Sequence, residues 1–223
     1  MPVVTSVESL RGGRIAVDVD GERLLIASQA LVARWRLFVD RELSEQELVD
    51  LRAEGAREVA LADAHRLLAH RSRSRRELTG RLLTKGHPED VVAVVTARLA
   101  DDGLLDDRAF AAAFVTDKRG LAGWGRQRIA AGLASAGVPR DVAEEALGDD
   151  DVDAELCRAL TLLRRGPAAA PPLEAARRRA FDRLRRRGFA PAVAYAALDR
   201  WLAEAHDGGG EAGRAVVGDT DGL

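Results

Sequence analysis

Aromatic side chains make up only 4% of this 223-residue chain, so its core must be built from Ala, Leu and Val within a hydrophobic share of 47%. Those residues, mixed with arginine, favour helix because they lose little side-chain freedom there. There is a single cysteine, Cys157. It excludes an internal disulfide or a multi-thiolate zinc site, and Leu156 and Leu160 beside it make it read as a buried small apolar residue. No apolar run approaches the roughly 18 residues of a membrane span, and Met1 is not followed by a charged-then-apolar leader pattern. A soluble cytoplasmic protein is expected. An excess of one charge is missing too: 34 basic against 36 acidic residues give −2, which excludes a generic polyanion binder.

Signatures of chemistry are equally scarce. His65, His70, His87 and His206 share no metal-ligand spacing with Cys157 or with each other. Gly120, Gly123 and Gly125 flank Trp124 without the preceding strand or following Gly-Lys-Ser/Thr of a phosphate loop. Asp101, Asp102, Asp106 and Asp107 lack the remaining positions of a calcium loop, and they read more simply as helix caps and dipole partners. The acidic run Asp149 to Asp151, with Asp153, has the same explanation as the opening of a helix. No catalytic residue, metal or cofactor is expected.

What is present is a repeat. Gly86, Gly137 and Gly188 are each 51 residues from the next, and each stands between a basic amphipathic stretch and a second apolar one. The residues after them, His87, Val138 and Phe189, fit a left-handed glycine followed by a residue folded back on the last helical turn. Pro88, Pro139 and Pro191 then mark new helix starts. Around each glycine three helices are predicted. In the first unit they are Ala60 to His70, a helix opened by Ser74 and Glu77 with Leu78, Leu82 and Leu83 inward, and one carrying Val91, Val94, Val95 and Leu99. In the second they are Arg108 to Lys118 with Phe110 and Phe114, Arg126 to Ala136 with Ile129 and Leu133, and one with Val142, Ala146 and Leu147. The third has Asp153 to Arg164, Leu173 to Arg187 with Ala180 and Leu184, and one with Val193, Leu198 and Trp201. Gly166 to Pro172 reads as a loop that lengthens this unit.

The first 55 residues follow another period. Val3 to Leu10, Arg14 to Val19 and Glu22 to Ala27 read as strands, with Ile15, Val17 and Val19 alternating. Asp20-Gly21 is a hairpin turn and Gly12-Gly13 another. A helix is expected after Ser28 with Leu31, Val32 and Trp35 on one face. A second opens at Ser44, which has capping-box spacing to Glu47, and stops at Gly55. The fold expected is mainly α: three tandem three-helix repeats in an elongated array, preceded by a small β-hairpin and helix module. The divisions are residues 1–55, 56–105, 106–148, 149–205 and a disordered tail 206–223.

Charge is uneven along this frame. Residues 1–60 carry 8 basic and 11 acidic groups and residues 206–223 carry 1 and 4, which leaves 61–205 at +4. Basic residues recur at the same place in each unit. Arg71, Arg73, Arg75, Arg76 and Lys85 belong to the first, and Lys118, Arg119, Arg126 and Arg128, with Trp124 among them, to the second; Arg177 to Arg179, Arg183 and Arg185 to Arg187 continue the series. Solvated helix faces account for any single run, whereas recurrence points to a basic stripe. Trp124 reads either as an interface anchor or as packing against Phe114.

The middle unit carries a recognisable combination. Gly103-Leu104-Leu105-Asp106-Asp107, Phe110-Ala111, Phe114-Val115, Lys118-Arg119 and a glycine before Arg128-Ile129 together resemble the RecX family of recombination regulators. Ser74, Glu77-Leu78, Leu82 and Lys85-Gly86 before it, and Leu133, Gly137-Val138 and Ala146-Leu147 after it, fit as well, so the resemblance covers roughly residues 60–205. It implies a modular three-helix-repeat protein without enzymatic activity that binds the RecA recombinase. Such a protein would lie in the groove of the RecA–DNA filament across more than one subunit, impeding filament growth, ATP hydrolysis and strand exchange. Arg71, Arg73, Arg75, Arg76, Lys85, Lys118, Arg119, Trp124, Arg126 and Arg128 would then meet the filament, with single- or double-stranded DNA a weaker, optional partner. The acidic ends argue against stacking and for a monomer.

Two other readings compete. A direct DNA-binding protein of helix-turn-helix type would use the arginine-rich helices, but the net charge of −2 and helices poor in Asn, Gln and Ser, the residues that would read base edges, oppose it. A peptide-binding scaffold of two-helix repeats conflicts with the 51-residue period.

Overall fold

Period-2 alternation at Ile15, Val17 and Val19 makes β2 (Arg14–Val19) the centre of a three-stranded antiparallel sheet, between β1 (Val4–Ser9) and β3 (Glu22–Ser28). Asp20 and Gly21 both have positive φ, 51° and 86°, as the two-residue turn between β2 and β3 requires. The computed structural model describes residues 1–148, 152–167 and 173–212. Its chain divides into two compact units, Met1–Asp106 and Asp107–Leu223.

In the first unit α1 (Gln29–Arg34) opens at Ser28, whose hydroxyl accepts the Leu31 N–H. Helix α2 (Glu45–His70) opens with the expected reciprocal box: Ser44 caps the Glu47 N–H, and the Glu47 carboxylate accepts the Ser44 N–H at 2.8 Å. Gly55 does not stop this helix. It is buried inside α2, where an added β-carbon would lie 3.2 Å from the Leu25 side chain of β3. The glycine lets helix and sheet approach, and a glycine inside a helix costs only about 1 kcal/mol, which that packing offsets. The division at residue 55 therefore falls within one continuous helix. The front of α2 supplies Leu48 and Leu51 to the core under the sheet, and its rear supplies Ala60 and Ala64 to a second core with α3 (Arg75–Thr84) and α4 (Glu89–Asp101).

The second unit holds two further trios: α5 (Asp107–Gly120), α6 (Arg126–Ser135) and α7 (Arg140–Leu147), then α8 (Val152–Arg164), α9 (Leu173–Arg186) and α10 (Pro191–Ala212). Each trio has its own core, the former around Phe110, Ile129 and Leu133, the latter around Leu163, Leu184, Phe189 and Leu198.

The 51-residue period marks one corner written three times. Gly86, Gly137 and Gly188 have φ of 90°, 77° and 83°. The N–H of the next residue returns to the carbonyl five back in each case: His87 to Leu82 at 3.3 Å, Val138 to Leu133 at 3.1 Å, Phe189 to Leu184 at 3.2 Å. The glycine N–H bonds the carbonyl three back, which completes the Schellman arrangement. Val138 and Phe189 are buried, and His87 is half-buried.

The prolines mark helix starts as expected, Pro88 and Pro139 as the cap residues before α4 and α7 and Pro191 as the first residue of α10. Several other details differ from expectation. Leu83 and Val94 are exposed, at 41% and 52%, because Leu78–Leu82 and Val91–Val92–Val95–Leu99 already fill the inward arcs of α3 and α4. Cys157 is exposed: Leu156, Ala159, Leu160 and Leu163 define the buried face of α8, and position 157 turns off it. Helix α10 continues past Ala205 to Ala212, since extending a packed helix adds one bond per residue fixed. Residues 213–223, Asp149 to Asp151 and residues 168–172 of the third-unit loop lie outside the described residues.

Candidate partner-binding surface

Arg75 and Arg126, one repeat period apart, are each the first residue of the middle helix of their trio. Arg177, a period further, is the fifth residue of α9, because that helix starts earlier, at Leu173. Cations at a helix N-terminus oppose the helix dipole. Their own helices gain no dipole stabilisation from arginine at that position.

In the first unit Arg71 ends α2 and pairs with Glu77, whose carboxylate takes Arg71 Nη1 at 2.9 Å and Nη2 at 3.2 Å. That hydrogen bond holds the Glu77 carboxyl below its usual range, and Arg71 correspondingly rises. Arg73 is half-buried and donates Nε to the Leu67 carbonyl at 3.2 Å; burial lowers it. Arg75 and Arg76 are exposed on the first turn of α3. Lys85, at the far end of α3, turns to Asp63 of α2 at 3.4 Å.

Asp63 is the residue that sequence reading missed. It is 7% exposed, and His87 Nε2 approaches Oδ2 at 2.9 Å while Arg66 takes Oδ1. Burial alone would raise this carboxyl. The hydrogen bonds from His87 and Lys85 and the charge of Arg66 outweigh it, and the group sits below its ordinary range. Asp63 thus ties the Lys85-Gly86-His87 corner to α2. An aspartate between the inward-facing Ala60 and Ala64 was the available signal.

In the second unit the basic residues gather where α5 ends and α6 begins. Trp124 is half-buried and meets Phe114 edge-on with centroids 6.4 Å apart, so the packing reading holds. Arg128 lies over its ring at 4.2 Å and Lys118 at 5.4 Å, both at cation–π range. Arg119 Nη2 donates to the Leu147 carbonyl at 2.7 Å, and Arg126 Nη1 to the Gly148 carbonyl at 2.6 Å, so both cap the end of α7. Arg128 Nη1 donates to the Arg186 carbonyl at 2.9 Å at the end of α9.

The α6 N-terminus is itself enclosed. The Gly125 N–H donates to the Arg187 carbonyl at 2.8 Å, the Gln127 N–H to Gly188 at 3.1 Å, and the Arg126 N–H to the buried Glu155 carboxylate of α8 at 3.0 Å. The free amides of α6 meet the free carbonyls of α9, each helix end satisfying the other. Sequence reading had no signal for this junction beyond Glu155 on the buried face of α8. Of the ten residues singled out, five lie in the first unit and five in the second. Among the described residues no cluster of histidine, cysteine or carboxylate groups is disposed to hold a metal, and no helix is long and apolar enough to cross a membrane.

Residues 60–99 match the family model described as RecX, first three-helix domain, and residues 106–147 match RecX, second three-helix domain. The regulatory protein RecX of Mycobacterium ulcerans (strain Agy99) is 40% identical over 159 residues, 70% of this chain and 90% of that protein. The chain belongs to the RecX family. The regulatory protein RecX of Mycobacterium avium (strain 104) is likewise 40% identical, over 64% of this chain and 82% of its own. A crystal structure of a regulatory protein RecX has the same fold, with a TM-score of 0.65 at 20% identity over 89% of this chain and all of that one. The crystal structure of RecX from Lactobacillus salivarius gives 0.58 at 18% identity, over 66% and 97%. The two RecX domain matches fall on the trios α2–α4 and α5–α7, and α8–α10 repeats their corner at Gly188.

Proposed function

We propose that this chain is a non-enzymatic regulator of the RecA recombinase. It binds the RecA–DNA filament across more than one subunit and impedes filament growth, ATP hydrolysis and strand exchange in the cytoplasm. Membership of the RecX family carries this reading. The exposed arginines on the first turn of α3, Arg75 and Arg76, suit a polyanionic or acidic partner.

The ten residues contribute unequally in this proposal. Arg75 and Arg76 are exposed and make the electrostatic contact in the first unit. Lys118, Trp124 and Arg128 present a cation–aromatic cluster in the second. Arg73, Arg119 and Arg126 hold main-chain carbonyls and act mainly by fixing the helix ends around that contact. The test is RecA ATPase on single-stranded DNA, titrated with the protein. Hydrolysis should fall as the protein approaches stoichiometry with RecA, and an unchanged rate would remove the assignment while leaving the repeat fold intact.

A further inference from the structure

A second aromatic and basic cluster lies in the third trio, away from the ten residues above. Phe181 of α9 and Tyr195 of α10 stack with ring centroids 4.9 Å apart and planes at 28°. Phe181 is packed against the trio's core, whereas Tyr195 is 51% exposed. One side of the tyrosine ring is therefore covered by another ring, and much of the rest meets solvent. It is the sole tyrosine of the chain.

Helical spacing sets what surrounds this pair. Arg177 and Arg178 precede Phe181 by four and three residues and Arg185 follows it by four, so all three share its side of α9, and all three are exposed. Glu174 shares that side. Arg177 lies 3.5 Å from Asp199, one turn beyond Tyr195 on α10, and Arg185 donates to the Phe189 carbonyl at 3.1 Å. Helix α9 carries six arginines and two carboxylates, a local charge of +4 in a chain whose total is −2.

We propose that this face is a contact for single-stranded nucleic acid. An unpaired base continues the Phe181–Tyr195 stack on the open side of Tyr195, and Arg178, with Arg177 and Arg185 beside it, meets the phosphates. Stacking needs an accessible base face, which a duplex conceals and a single strand offers. Base stacking is tolerant of sequence, and α9 itself carries no Asn, Gln or Ser, so the contact has little sequence preference. An acidic protein segment would satisfy the arginines equally, but only a planar partner uses a ring already held parallel to a second ring. The contact is independent of RecA, because it is read on naked oligonucleotide.

The test is fluorescence anisotropy of a labelled oligothymidylate of about 16 nucleotides with the full chain, at several salt concentrations. Tyr195→Ala should weaken binding by about 5- to 150-fold, and Tyr195→Phe, which keeps the ring, should bind as the parent does. Arg178→Gln should lower the slope of log affinity against log salt by about 0.7. An iodouracil-substituted strand should photocrosslink to Tyr195. The idea is overturned if Tyr195→Ala, with normal helical signal, binds the oligonucleotide as tightly as the parent, or if duplex of equal length is preferred. It is also overturned if the parent does not bind the strand at all, even where Tyr195→Ala abolishes RecA inhibition; the face would then be a protein contact.

Discussion

Gly125 and Gly188 touch backbone to backbone, so that a β-carbon on Gly125 would lie 2.5 Å from the Gly188 carbonyl carbon and 2.6 Å from the Phe189 nitrogen. On the other side, a β-carbon on Gly188 would lie 2.9 Å from the Arg128 Cα. The start of α6 meets the Gly188 corner there, and side chains as small as methyl are excluded from both glycines.

Gly125→Ala should therefore lower stability by about 1–3 kcal/mol or more, since the obstructing atoms are main chain and cannot rotate away. Gly80→Ala is the matched control. Gly80 is exposed inside α3 with open space around its Cβ position, and alanine there should add up to about 1 kcal/mol. Urea unfolding midpoints check both; equal midpoints for the two variants would contradict the close approach.

Acid should weaken the first unit through Asp63. Its carboxyl is lower in the folded chain than in the unfolded one, so the unfolded state binds the proton more readily. The resulting stability is present above the unfolded value of about 3.9 and is lost as pH falls through the folded value. Asp63→Asn should reduce stability at neutral pH by about 1–3 kcal/mol and flatten that acid dependence. Thermal unfolding of parent and variant between neutral pH and about pH 3 provides the measurement. Parallel curves would show that the carboxylate contributes nothing to it.

Arg75→Gln with Arg76→Gln should raise the concentration needed for half-maximal inhibition of RecA ATPase by about tenfold, mostly through slower association. The melting temperature should change little, because both residues are exposed on the first turn of α3. Undiminished inhibition by this variant would show that the first-turn arginines of α3 make no contact.

Local rules made the helix starts and corners legible. Ser28, Ser44 and Ser74 cap as their spacing required, and the three glycines close the corners expected of them, because each bond runs between residues close in the chain. Gly55 misled because its role is set by Leu25, thirty positions away across the sheet. Arg119, Arg126 and Arg128 suggested an open stripe, yet each reaches a carbonyl 21 to 58 residues distant, a partner no window of sequence contains. Cys157 and Val94 failed for a smaller reason: each stands one helical position off a face already filled.

Helix α2 has a mechanical consequence. At 26 residues it is about 39 Å long, and it belongs to the core under the sheet at one end and to the α3–α4 core at the other. The N-terminal sheet and the first trio share this one rod and must swing together. A push on either end travels the length of the lever, and cutting the sheet away would leave Leu48 and Leu51 facing water.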